Sequence, residues 1–162
     1  MPKAETTFRP VGHSEGRMHG ATAVLASGFS ATEQQVLRAM MDAAGLQDVG
    51  IVAITAASLP LTLAVLAALP AGANAGETAE LPRAVVMSGL TERQLHALMD
   101  SYRQSGLPRP LWASVTPSSA GWTIKYLLVE LLKEREAMRQ ASEAQAKRET
   151  AAATEANGSG AS

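Results

Sequence analysis

The feature that most constrains this chain is a match to itself at an offset of 61 residues, without a gap. Ala23, Val24, Ser27 and Gly28 fall on Ala84, Val85, Ser88 and Gly89. Leu37, Gly45 and Leu46 fall on Leu98, Gly106 and Leu107, and Thr55, Ser58, Thr62 and Leu66 fall on Thr116, Ser119, Thr123 and Leu127. These are 11 identities in 44 positions, against roughly four expected by chance in an Ala-rich chain. The matches sit where chain direction is decided, so they predict two copies of one structural unit.

Each unit opens on a short apolar run, Ala21–Ala26 and Arg83–Met87, closed by a Ser-Gly pair. A helix start follows. Ser30 with Glu33, and Thr91 with Gln94, have the spacing of capping boxes, in which hydroxyl and carboxylate or amide satisfy free backbone N–H groups reciprocally. The helices carry 3.6-residue stripes, Val36, Leu37, Met40 and Met41 in the first and Leu95, Leu98, Met99 and Tyr102 in the second. Gly45 and Gly106 stop them, as a left-handed C′ position prefers. A second apolar run ends at Thr55 in one unit and Thr116 in the other. Thr62 and Thr123 then read as N-caps of second helices, with Leu61 and Trp122 placed to staple onto Leu66 and Leu127.

The order βαβα–βαβα predicts an α/β fold: two repeats forming one mostly parallel four-stranded sheet covered by helices, with a C-terminal helical extension. Strand order 2-1-3-4 would place the first strands of both units at the centre, with their helices on opposite faces. The expected organisation is a flexible leader over 1–20, a first unit over 21–70, a linker over 71–82 and a second unit over 83–135. A charged helical extension over 136–149, in which Glu143 and Lys147 are an i,i+4 pair, and a disordered tail over 150–162 complete it.

Residues 50–76 carry no charge and are long enough to span a bilayer. The copy of this stretch, residues 111–131, contains Lys125 and Glu130, and Pro60 interrupts the first, so both read as strand, turn and helix rather than membrane span. A net charge of −1 leaves no bulk attraction to nucleic acid, and Arg103, Arg109 and Lys125 are too sparse for a footprint. Cysteine is absent, which excludes disulfides, thiolate metal sites and a Cys nucleophile, and fits a cytoplasmic location.

Residues 83–135 resemble a bacterial family, the domain of unknown function 3783. The resemblance rests on Val85-Val86-Met87-Ser88-Gly89, on Leu95 and Leu98, on Thr116-Pro117 followed by Gly121-Trp122-Thr123, and on Leu127-x-x-Glu130-Leu131. Family members often carry Asn in the loop before the Trp, where this chain has Ser118-Ser119. The resemblance implies a fold unit and a bacterial source, and no activity or catalytic residues. Residues 22–70 look like a diverged copy in which Leu61 replaces the Trp.

No catalytic or cofactor motif is present. His13, Glu15 and His19 lie close in sequence but lack a rigid frame for a metal. His96 has Asp100 four residues on, a spacing that fits an exposed ion pair. The Gly spacings fail the dinucleotide and P-loop fingerprints. Two candidate sites follow. In a parallel sheet the two Ser-Gly turns would meet at a switch point, so Ser27, Gly28, Ser30, Ser88, Gly89 and Thr91 could hold a small anion or nucleotide at two helix N-termini. Thr116 and Trp122 lie in the most distinctive loop and could anchor a protein partner. The expected function is a non-enzymatic protein-interaction or regulatory module, without cofactor, metal, nucleic-acid or membrane partner. The anion site is its alternative, an enzyme of unknown class a second, and a homodimer is compatible with the charged helix.

Overall fold

The computed structural model describes residues 16–160, with side chains through Thr154. Its elements run β1 (Ala23–Ser27), α1 (Ala31–Ala43), β2 (Gly50–Ala53), a 3-10 turn (Ala56–Ser58), α2 (Leu63–Ala67), β3 (Ala84–Ser88), α3 (Glu92–Gln104), β4 (Leu111–Ser114) and α4 (Ile124–Gly160). The local signals act as their chemistry requires. Ser30 and Thr91 cap α1 and α3 with reciprocal bonds to Glu33 and Gln94. Thr62 Oγ1 accepts the Val65 N–H, and Thr123 Oγ1 the Tyr126 N–H.

The four strands form one sheet in the order β2-β1-β3-β4. The expected mostly parallel sheet is instead mixed. β1 is parallel to β2 and β3 to β4, but the central pair is antiparallel, with Ala23 opposite Ser88 and Ser27 opposite Ala84. This reversal also corrects the placement of the helices. A right-handed crossover fixes the face on which its helix lies. Here the second half reverses both the strand direction and the side to which it steps, so its helix returns to the same face. α1 and α3 therefore share one core, in which Leu37 and Met41 meet Leu98 and Tyr102 over Val24, Ala26, Val85 and Met87. Leu25 and Val86, the alternate residues, are fully buried on the other face, where α2 packs through Leu63 and Leu66.

Two segments flank the repeats. Residues 17–19 run along the turn after β3. Arg17 bridges Thr91, the Met18 N–H donates to Leu90 O at 2.8 Å, and His19 O accepts from the Gly89 N–H at 3.1 Å. At the other end α4 continues to Gly160, through the stretch expected to be a disordered tail. Ala151, Ala152 and Ala153 have the highest intrinsic helix propensity and no Pro interrupts them.

The chain divides into two compact units after Leu128. In the second unit the charged face of α4 pairs Arg139 with both Glu136 and Glu143, so Glu143 has Arg139 rather than Lys147 as its partner. Among the described residues no helix is long and apolar enough to cross a membrane, and residues 50–76 form β2, the 3-10 turn, α2 and the turns after it.

Candidate functional site

The antiparallel centre decides the fate of the Ser-Gly turns. Ser27-Gly28 leaves β1 at one end of the sheet and Ser88-Gly89 leaves β3 at the other, so the two turns do not meet. Each is filled by the chain entering the other central strand. Ser27 Oγ donates to Pro82 O at 2.9 Å. A Cβ on Gly28 would stand 2.5 Å from Leu81 O, and one on Gly89 would stand 2.5 Å from Gly20 O. Ser88 Oγ is buried against Gly20 and has no hydrogen-bond partner among the described residues.

The helix N-termini beside these turns are likewise occupied. At α1 the Ser30 N–H donates to Glu33 Oε1 at 2.9 Å, and Arg83 Nη2 lies 3.1 Å from Glu33 Oε2. The Ser30 N–H and then Arg83 hold the Glu33 carboxyl below the ordinary carboxylate range. The guanidinium also lies over the Phe29 ring, 4.8 Å from its centroid. At α3 the Thr91 N–H donates to Gln94 Oε1 at 2.9 Å, and Arg17 Nη1 donates to Gly89 O at 3.1 Å. A carboxylate or amide of the chain itself thus takes the place an anion would take. Ser30 and Thr91 serve as caps, and the six residues do not form one crevice.

His96 is exposed on α3, and its expected partner Asp100 pairs with Arg103 instead. His13 and Glu15 lie outside the described residues. A cavity of about 550 Å³ lies between α1, β2 and the segment after α2. Ile51, on its wall, occupies the position where the second half has Trp112. Two of its polar side chains, Gln34 and Arg38, are bonded within the chain. Gln34 Nε2 donates to Glu77 O at 2.8 Å, and Arg38 donates to Val49 O at 2.7 Å and Leu46 O at 2.9 Å.

The Thr116 loop is bonded within itself, and exposed apolar side chains stand beside it. The Thr116 N–H donates to Ser119 Oγ at 3.0 Å, and the Ser119 N–H returns a bond to Thr116 Oγ1 at 3.1 Å. Thr55 and Ser58 close the first loop in the same way, with the Thr55 N–H 3.0 Å from Ser58 Oγ. The loops then cross at an antiparallel bridge between Thr62 and Thr123. The Leu63 N–H donates to Trp122 O at 2.9 Å and the Ile124 N–H to Leu61 O at 3.0 Å, so each helix start is fastened by a carbonyl from the other half.

Around this rigid junction stand exposed apolar side chains: Leu61 at 38%, Val65 at 50% and Tyr126 at 48% relative exposure. Trp122 is half-buried and meets Tyr126 edge-on, with centroids 4.8 Å apart. The ring expected to staple onto Leu127 therefore packs on Tyr126, while Leu127 is buried. Sequence reasoning singled out Thr116 and Trp122 and missed Tyr126, Val65 and the outward face of Leu61. The offset of 61 residues held the signal, because it sets Leu61 on Trp122 and Val65 on Tyr126.

Residues 83–138 match the family model described as Domain of unknown function (DUF3783). The resemblance read from the sequence is thereby shown. The DUF3783 match covers β3, α3, β4 and the start of α4, including the Thr116 loop, Trp122 and Tyr126. No curated protein and no solved structure matches the chain.

Proposed function

We propose that this chain is a protein-interaction module whose contact surface is the junction of Leu61, Val65, Trp122 and Tyr126. The observation that carries the reading is a half-buried Trp122 set edge-on to an exposed Tyr126, on a backbone held by two hydroxyl caps and four bonds between the halves. Aromatic side chains presented on rigid elements make efficient anchors, since little side-chain freedom is lost on binding. Thr116 acts in this reading through its bonds to Ser119, shaping the loop that carries Trp122. We also read the two halves as copies of one unit, supported by strands that begin 61 residues apart in both positions. A cytoplasmic bacterial setting is consistent with the lack of cysteine and with the DUF3783 resemblance.

The test is affinity capture from lysate of the source organism, with wild type and a Trp122→Ala/Tyr126→Ala variant as baits, both confirmed folded by circular dichroism. A partner retained by wild type should bind the variant at least about 30-fold more weakly, the loss of one hot spot of about 2 kcal/mol. Equal retention by both baits would contradict the assignment of this surface.

A further inference from the structure

The two outer edges of the sheet are treated differently. In β2 the outward backbone groups belong to Ile51 and Ala53, because the Ile54 N–H is the one that reaches β1, at Ala26 O. The chain itself bonds to three of these four groups. The Gly72 N–H donates to Ile51 O at 3.0 Å, the Ala53 N–H donates to Ala73 O at 3.1 Å, and Asn74 Nδ2 donates to Ala53 O at 3.2 Å. Residues 71–76 thus act as a fifth, irregular strand along that edge.

Among the described residues β4 has no such cover. The Leu111 and Val115 N–H groups bond to β3, at Arg83 O and Met87 O, so Trp112 and Ser114 turn their N–H and C=O groups outward. Among the described residues nothing bonds to these groups. Ser114 is also partly exposed, whereas Ala53, in the same place on β2, is buried. An edge with open donors and acceptors is a template for another strand.

We propose that β4 pairs antiparallel with β4 of a second copy, about a two-fold axis at Ala113. In this register Trp112 of one copy faces Ser114 of the other. Both residues carry the outward N–H and C=O groups, so each pair exchanges two hydrogen bonds. No residue of β4 is charged, and the nearest charge, Arg109, lies opposite Pro117 of the other copy rather than opposite its own counterpart. Pro110 and Pro117 flank the strand and confine the pairing to Leu111–Ser114. So short an edge is small against the roughly 1,200–2,000 Å² of a stable interface, and the dimer dissociates on dilution. This surface is separate from the Trp122–Tyr126 junction, and its failure would leave that reading untouched.

The experiment is sedimentation equilibrium of the full chain from about 10 µM to about 1 mM, where reversible dimers form at the upper end of weak association. Wild type should pass from monomer to dimer across the range. Ser114→Pro removes only an outward N–H and should remain monomeric throughout with an unchanged circular dichroism spectrum. Ala113→Cys introduces the sole thiol, and opposed residues in such a pair lie about 4.5 Å apart at Cα, within disulfide reach, so oxidation should give a covalent dimer. A wild type that is monomeric at the highest concentration, a Ser114→Pro variant that dimerises like wild type, or an Ala113→Cys variant that does not cross-link would each overturn the proposal. If Ser114→Pro fails to fold, the Ala113→Cys result decides.

Discussion

Gly28→Ala and Gly89→Ala should each destabilise the protein by about 3–5 kcal/mol, enough to leave a large unfolded fraction. Both residues adopt positive φ, +77° and +66°, where an L side chain is strained by about 1–2 kcal/mol. The larger part comes from what lies opposite. The added Cβ of Gly28 would meet Leu81 O at 2.5 Å and Arg83 N at 2.8 Å, and that of Gly89 would meet Gly20 O at 2.5 Å and Ala21 O at 2.8 Å. These atoms are backbone, and they lead directly into β3 and β1, so they cannot yield without moving a central strand. Gly45 supplies the contrast. It too has positive φ, +86°, but nothing stands within 4 Å of its Cβ position, and Gly45→Ala should cost only about 1 kcal/mol. Urea unfolding of the three variants measures the difference. Equal losses at all three positions would show that the turns are not packed as described.

Tyr102→Ala should cost about 3–5 kcal/mol and Tyr102→Phe about 1 kcal/mol. Tyr102 is the buried middle ring of an aromatic chain, edge-on to Phe29 at 6.3 Å and to the partly buried Trp112 at 5.3 Å. It joins the first half, through Phe29, to the β4 side of the second. Its hydroxyl donates to Pro108 O at 2.6 Å, which ties the loop before β4 to α3. Alanine removes both ring contacts and leaves a cavity; phenylalanine removes only the hydrogen bond. Burial pushes the Tyr102 phenol above its ordinary value of 10.0. The neutral form is thus favoured by folding, so this contribution is full below pH 10 and is lost as pH rises through the raised folded value. Tyr102→Phe should remove that part of the alkaline loss of stability, which chemical unfolding at pH 8 and pH 11 would detect.

The elements were legible in the sequence because their signals are local. Capping boxes at Ser30 and Thr91, N-caps at Thr62 and Thr123, and helix stops at Gly45 and Gly106 depend on a few adjacent residues each. Strand order was less legible: right-handed crossovers permit several orders, and the preferred one, with β1 and β3 together, is the one found. The relative direction of those two strands was not legible. Val24, Leu25 and Ala26 against Val85, Val86 and Met87 are apolar on both faces, and such runs pair equally well either way round. One wrong direction then moved a helix to the wrong face and joined two turns that the protein keeps at opposite ends of its sheet. Trp122 was visible as a single large residue in an aromatic-poor chain. Its surface partners Tyr126 and Val65 were hidden because they sit in apolar helical stretches, where exposure depends on which side the sheet covers.

The antiparallel pairing of β1 with β3 is therefore the claim on which the rest depends, and nuclear Overhauser contacts between backbone protons of these strands test it most directly. The account predicts cross-strand contacts from Ala23 to Ser88 and from Ser27 to Ala84. Contacts from Ala23 to Ala84 and from Ser27 to Ser88 would contradict it. They would bring the two Ser-Gly turns together at one end of the sheet and return the ligand crevice to the centre of the protein's function.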